Sequence, residues 1–321
     1  MPNLRWGIIG LGRIAREFVA QFPAGQTLYG CAASAPERAV AFAKDLAVPH
    51  VYDSYRTLCA DPAIDVVYIA TTHDFHAADI RLALEAGKHV LCEKPITLNG
   101  RQLAALTALA VKKGLVLMEA QTIYHMPLYR AIEDFVTAHA VGPLRLVQAS
   151  LGEQVPVNLE DRFYNPQRAG GGLLDMGIYP LSLTRRFMTA RPKLVATAAT
   201  KAVTGVDLTS TLVLTNAQGE QAVLVTSLAA RLPNRAYLTF ADGSFEIINF
   251  GRAAQATWLP NEGEPVTVSA GATSRAMGYE AQALAQAVAS GTNPTAAWTA
   301  DTMAVMDAAR AQWGLRYPGE D

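Results

Sequence analysis

Up to about residue 120 the sequence keeps returning to one unit: a short, almost unbroken apolar run, a break, then a longer segment with apolar residues at helical spacing. Runs of that kind suit strands buried on both faces, and strands alternating with helices build a parallel, doubly wound sheet. Residues 5–9 form the first run, closed by Gly10 and Gly12; residues 14–22 follow at helical spacing and 27–33 make the next run, so the chain opens β-α-β. The pattern then predicts helices over 36–45 and 55–59 around a short strand near Val51. It continues with a buried strand at 65–70, a helix over 76–85, a strand at 89–92, a helix over 99–112 and a sixth strand at 115–118. Gly87 and Gly114 stop two of these helices.

Beyond Pro127 the character shifts. A helix at 128–137 leads through Gly142 and Pro143 into a strand at 144–151, and a Gly-rich turn opens another helix near Leu173. After Pro192, runs at 194–201, 210–215, 221–228, 236–240 and 244–250 are rich in Val, Leu and Thr and joined by turn sequences, which reads as an antiparallel sheet. Helices at 279–290 and 299–313 close the chain. With 321 residues there is room for two domains, placed here at 1–122 and 123–321, in an α/β chain.

Charge narrows the partners. Lys and Arg (27) nearly cancel Asp and Glu (28), which argues against nucleic acid or an anionic membrane as the main partner. No window approaches the roughly 20 apolar residues that span a bilayer, and the first apolar run is cut off by Arg13 and Arg16 too early for a secretory signal. The expected address is cytoplasmic. Cys31, Cys59 and Cys92 are odd in number and set in apolar strings, as reduced core thiols are.

Three motifs carry chemistry. Gly10-Leu11-Gly12-Arg13-Ile14-Ala15 fits G-x-G-x-x-[G/A] at a strand-to-helix turn, where bare backbone and a helix N-terminus accept a pyrophosphate. The second strand ends Ala33-Ser34-Ala35 without the carboxylate that reads NAD ribose hydroxyls. Ser34 and Arg38 can hold a 2′-phosphate instead, which favours NADP over NAD; otherwise Arg38 is a solvated helix residue. Glu93-Lys94-Pro95 ends a buried strand at the edge where ligands lie in such sheets, so Lys94 is either an amine working beside a nicotinamide or a snorkelling surface lysine. Thr71, His73 and His76, after the strand at 65–70, are read as lying over the nicotinamide and ribose, since H-x-x-H here has no third metal ligand. In Gly170-Gly171-Gly172-Leu173-Leu174-Asp175-Met176-Gly177-Ile178-Tyr179-Pro180 a helix puts Asp175 and Tyr179 on one face. A tyrosine beside a lysine is a proton donor to a carbonyl, because the cation stabilises the phenolate; the bland reading makes Asp175 a cap and Tyr179 core.

The string Ala86-Gly87-Lys88-His89-Val90-Leu91-Cys92-Glu93-Lys94-Pro95, the Gly10/Gly12 turn, Met118-Glu119-Ala120 and Gly170 to Pro180, in that order, resemble the glucose-fructose oxidoreductase / inositol dehydrogenase / rhizopine-catabolism (Gfo/Idh/MocA) family. Met118-Glu119-Ala120 and Leu174 to Tyr179 look most like its dimeric dihydrodiol dehydrogenase and NADP-xylose dehydrogenase branch. The resemblance covers essentially the whole chain. It implies a Rossmann domain followed by an α/β domain with an open, mostly antiparallel sheet, often used for dimer contacts, and hence a homodimer or higher homo-oligomer through that sheet. It also implies that Lys94 contacts nicotinamide ribose and substrate, that Tyr179 is the acid/base, and that Asp175 orients substrate or Lys94. Tyr124 stands where that branch has an arginine, and Ser34 where it often has Arg. The expected activity is NAD(P)-dependent hydride transfer to or from a sugar, polyol or cyclic diol, with Tyr124, Arg162 and Tyr164 as substrate residues. The alternatives are an NAD-dependent glycosidase and a dinucleotide-sensing regulator.

Overall fold

A computed structural model describes residues 2–320. Six strands, β1 (Arg5–Ile9), β2 (Thr27–Ala32), β3 (His50–Tyr52), β4 (Val66–Ile69), β5 (His89–Glu93) and β6 (Leu117–Ala120), form one parallel sheet in the order β3-β2-β1-β4-β5-β6. Helices α1 (Arg13–Ala20), α2 (Pro36–Leu46), α3 (Tyr55–Ala60), α4 (His73–Glu85) and α5 (Gly100–Lys112) make the crossovers. Every residue of β4 and β6 is buried, as helix cover on both faces requires. The strand order reverses direction between β1 and β4, and the carboxyl ends of strands at such a switch point are where open α/β sheets bind ligands. Helix α4 starts at His73, three residues before the predicted 76, so both histidines stand in its first turn rather than in a loop.

The second sheet is built from β7 (Leu144–Gly152), β8 (Lys193–Lys201), β9 (Asp207–Thr215), β10 (Gln221–Ser227), β11 (Leu232–Phe240), β12 (Gly243–Ile248), β13 (Gln255–Pro260) and β14 (Val266–Ser269), in the order β14-β13-β12-β11-β7-β10-β9-β8. It is antiparallel except where β10 runs parallel to β7. Strands β13 and β14 escape the sequence reading: β14 has four residues, three of them exposed, and β13 sets its buried Ala256 and Trp258 among polar residues and a proline. Helices α6 (Thr122–His125), α7 (Pro127–His139) and α8 (Ile178–Phe187) belong with this sheet. Phe135 of α7 packs edge-on against Phe245 and at a tilt against Trp258, at centroid distances of 5.3 and 5.7 Å.

The chain divides into two compact units, residues 1–120 with 274–297, and residues 121–273 with 298–321. Helix α9 (Ala276–Ser290) therefore belongs to the first unit, although the sequence boundary had assigned everything beyond 123 to the second. Its Met277, Ala281, Leu284 and Ala285 fall on one helical stripe, and all four are buried in the core that holds Trp6, Phe18 and Tyr68. Phe18 and Tyr68 stack there with ring centroids 3.8 Å apart. Helix α10 (Ala296–Trp313) runs into the second unit. Among the described residues, no helix is long and apolar enough to cross a membrane.

Candidate active site

The turn from β1 to α1 is shaped by what surrounds it. Gly10 has φ +82°, and a Cβ there would stand 2.4 Å from the backbone nitrogen of Thr71, so glycine lets the ends of β1 and β4 close on each other. Gly12 is the opposite case. A Cβ at Gly12 would meet nothing within 4 Å, and no side chain caps α1, so its first amides are available to an anion. Bare backbone beneath a helix N-terminus fits a dinucleotide pyrophosphate. Ala15 is fully buried, Ile14 packs against the core, and Arg13 is exposed and paired with Glu17. Ser34 and Arg38 are both exposed at the end of β2 and in the first turn of α2. Glu37 lies in that turn, but no acid ends β2 itself.

Lys94 follows the last residue of β5, in a segment fastened from three sides. Upstream, Glu93 accepts a hydrogen bond from the Tyr68 phenol at 2.6 Å and one from the Lys94 amide at 3.3 Å. Downstream, the buried Glu119 of β6 accepts the Ile96 amide at 3.0 Å. The third hold is His76, whose Nδ1 lies 2.9 Å from the Pro95 carbonyl and whose Nε2 lies 3.1 Å from the Thr71 carbonyl. Carbonyls on both nitrogens favour an imidazolium, while burial pushes the pKa of His76 down; the net direction is down. His76 is thus a buried brace between the segments after β4 and β5 rather than an open lining residue. His73 is also buried, its ring 6.5 Å from that of His76. Thr71 donates its hydroxyl to Asp79 at 2.8 Å, and burial pushes the Asp79 carboxyl up to about 6.

In the second unit the Gly-rich string folds into a π turn over Leu173–Gly177 that runs straight into α8. π turns inside helices are frequent at functional sites. From residue 169 to residue 184 every residue is buried except Asp175 and Tyr179, which are partly open. Asp175 Oδ1 receives Nη1 and Nη2 of Arg162, both at 3.3 Å, and the Arg162 guanidinium lies 4.0 Å over the Phe163 ring. Tyr179 lies alongside the backbone at Gly251. Two expected substrate residues turn inward instead. The Tyr164 phenol donates to the Val155 carbonyl at 2.9 Å, and the buried Tyr124 places its hydroxyl 3.2 Å from that of Thr302 and its ring 5.3 Å from Trp298.

The NAD-binding Rossmann fold of the Gfo/Idh/MocA oxidoreductases matches residues 4–121, and the C-terminal domain of the same family matches residues 129–247. Trans-1,2-dihydrobenzene-1,2-diol dehydrogenase of Xenopus laevis is 32% identical over 333 residues, covering 98% of this chain and 99% of that one. The chain belongs to the Gfo/Idh/MocA family. The human protein of the same name as the frog relative is 33% identical over 267 residues, 81% of this chain and 77% of its own. A 3-ketoreductase from Actinomadura kijaniata, in complex with NADP and TDP-benzene, superposes with a TM-score of 0.85 at 26% identity over 96% of this chain and 97% of that one. Levoglucosan dehydrogenase in complex with NADH and levoglucosan shares the fold at a TM-score of 0.87 and 20% identity, over 97% of each chain.

As a Gfo/Idh/MocA member the protein is an NAD(P)-dependent oxidoreductase with a Rossmann unit and a second, mostly antiparallel α/β unit. Two buried acids in it went unsingled as functional positions in the sequence. Glu119 had a signal, an acid inside an otherwise apolar strand, which demands a buried partner. Asp207 begins a Thr- and Leu-rich strand and carries no comparable signal.

Proposed function

We propose that this enzyme moves a hydride to or from the carbinol carbon of a small polyhydroxylated substrate, a sugar, polyol or cyclic diol, with NADP preferred over NAD. The observation that carries the reading is the pair Asp175 and Tyr179, the two open residues on an otherwise buried helical run. Burying residues 169–184 but leaving one acid and one phenol partly open suits chemistry better than packing. Gly10, Gly12, Arg13 and Ile14 would form the pyrophosphate turn, Ser34 and Arg38 would read a 2′-phosphate, and Thr71, Glu93 and Lys94 would line the strand ends toward the nicotinamide. Bound nicotinamide supplies the hydride acceptor or donor.

In oxidation Tyr179, as phenolate, takes the proton of the substrate hydroxyl as the carbinol hydrogen leaves with its electron pair. Lys94 supplies a cation at the strand end that would hydrogen-bond the reacting oxygen, and in reduction the same proton returns from Tyr179 to the new alkoxide. Asp175, its charge balanced by Arg162, holds a neighbouring hydroxyl. Positioning is most of the protein's contribution. The exposed Val195, Val223, Ile248, Leu259 and Val266 on the second sheet support a homodimer through that sheet, to be tested by sedimentation. The three free, buried cysteines support a cytoplasmic address.

Titration with NADPH and NADH, followed by nicotinamide fluorescence, tests the cofactor reading. Tighter NADPH binding supports Ser34 and Arg38 as readers, and tighter NADH binding removes them. Turnover of trans-dihydrobenzenediol and D-xylose by wild type and Tyr179→Phe then tests the acid/base. A Tyr179→Phe enzyme of wild-type rate returns Tyr179 to a packing role.

A further inference from the structure

We propose that Asp207 is a positioning residue for the reaction: its buried carboxylate, backed by the C-terminal segment of the chain, sets the start of the helical run that presents Asp175 and Tyr179. The π turn has no side-chain cap of its own, since Gly172 precedes it. A carboxylate far along the chain takes that place. Asp207, fully buried, accepts the Leu173 amide on Oδ2 at 2.7 Å, and the Gly172 amide also points to it. An acid at the amide end of a helix satisfies its unpaired donors and opposes its dipole. Glycine is required beside it: Gly171 has φ +118°, and a Cβ there would stand 2.2 Å from Asp207 Oδ1.

The other side of the string is held by the end of the chain. The Tyr317 phenol donates to the Gly170 carbonyl at 2.6 Å. Buried Arg310 of α10 pairs with Asp307 at 3.0 Å and with Glu320, and its charge acts on Asp207. Burial pushes the Asp207 carboxyl up to about 6, so the group is costly to keep ionised where it stands. An amide at this position would avoid that cost; what it would lose is the charge that holds the amides of the turn.

The proposal rests on the acid/base reading of Tyr179, and its test separates the two. Full-length wild type, Asp207→Asn, Asp207→Ala and Tyr179→Phe are compared by thermal midpoint at pH 8, NADPH affinity, steady-state kinetics with NADP and the better of D-xylose or trans-dihydrobenzenediol, and hydrogen exchange of residues 170–180. For Asp207→Asn we expect a midpoint no lower than wild type, unchanged NADPH affinity, faster exchange at 173–177, and kcat down roughly ten- to hundredfold with KM within about threefold. Asp207→Ala loses at least as much kcat where it folds. Wild-type kcat in an Asp207→Asn protein whose turn exchanges faster overturns the proposal. So does a kcat loss matched by an equal loss of NADPH affinity, which would mark general damage. Wild-type turnover by Tyr179→Phe instead removes the acid/base reading itself, and the exchange result identifies which of the two has failed.

Discussion

Lys94 shows how much machinery one side chain requires. A cation at a strand end is an ordinary surface feature until its backbone is fixed, and here Glu93, Glu119 and His76 fix the residues on both sides of it. Lys94→Ala should abolish turnover while leaving NADPH affinity within about an order of magnitude, because in the proposed site the glycine turn holds the pyrophosphate; unchanged turnover would return Lys94 to the surface. The place of Lys94 after a buried run was legible along the chain. Its braces were not, since Glu119 reaches an amide 23 residues away. Asp207 carries a second prediction, on pH. Its folded pKa is raised from 3.8 to about 6, so its favourable contribution is full below the unfolded value and is lost as pH rises through about 6. The midpoint advantage of Asp207→Asn over wild type should therefore be largest at pH 8 and shrink toward pH 5, by an amount on the order of 3 kcal/mol in stability at most. An advantage independent of pH between 5 and 8 would mean that the fold leaves the carboxyl at its unfolded pKa.

Elements impose their own demands, and the two glycine strings separate them. Gly12→Ala meets no neighbour and keeps an extended backbone, so its thermal midpoint should hold while NADPH affinity drops at least about tenfold, near 1.4 kcal/mol, as the new methyl obstructs the pyrophosphate. Gly171→Ala should do the reverse. It forces a left-handed φ on alanine and drives a methyl into Asp207, which together cost about 2–5 kcal/mol of fold stability, read as a lowered midpoint with cofactor affinity retained. Equal midpoints for the two variants would contradict the geometry of the π turn. That both strings are turns was readable from composition. That the second opens a π turn was not, because a helical period does not distinguish i→i+4 from i→i+5 hydrogen bonding over so few residues.

At the scale of the molecule, the first unit is closed by a helix that arrives some 150 residues after its last strand. A fragment of residues 1–122 leaves the stripe for Met277, Ala281, Leu284 and Ala285 uncovered and should melt without a cooperative transition by circular dichroism. Joining residues 274–297 to it through a short flexible linker should restore one; cooperative melting of the bare fragment would show that α9 is dispensable. Strand-and-helix alternation, the glycine turn and the residue types able to do hydride chemistry could all be read along the chain, because each follows from a local period or from what one backbone position permits. The return of α9, the inward turn of Tyr124 and Tyr164, and the bracing by His76, Glu119 and Asp207 were decided by the fold alone. Hydrogen bonds and core contacts between residues tens to hundreds of positions apart satisfy buried polar groups and apolar stripes without leaving any period in the sequence between them.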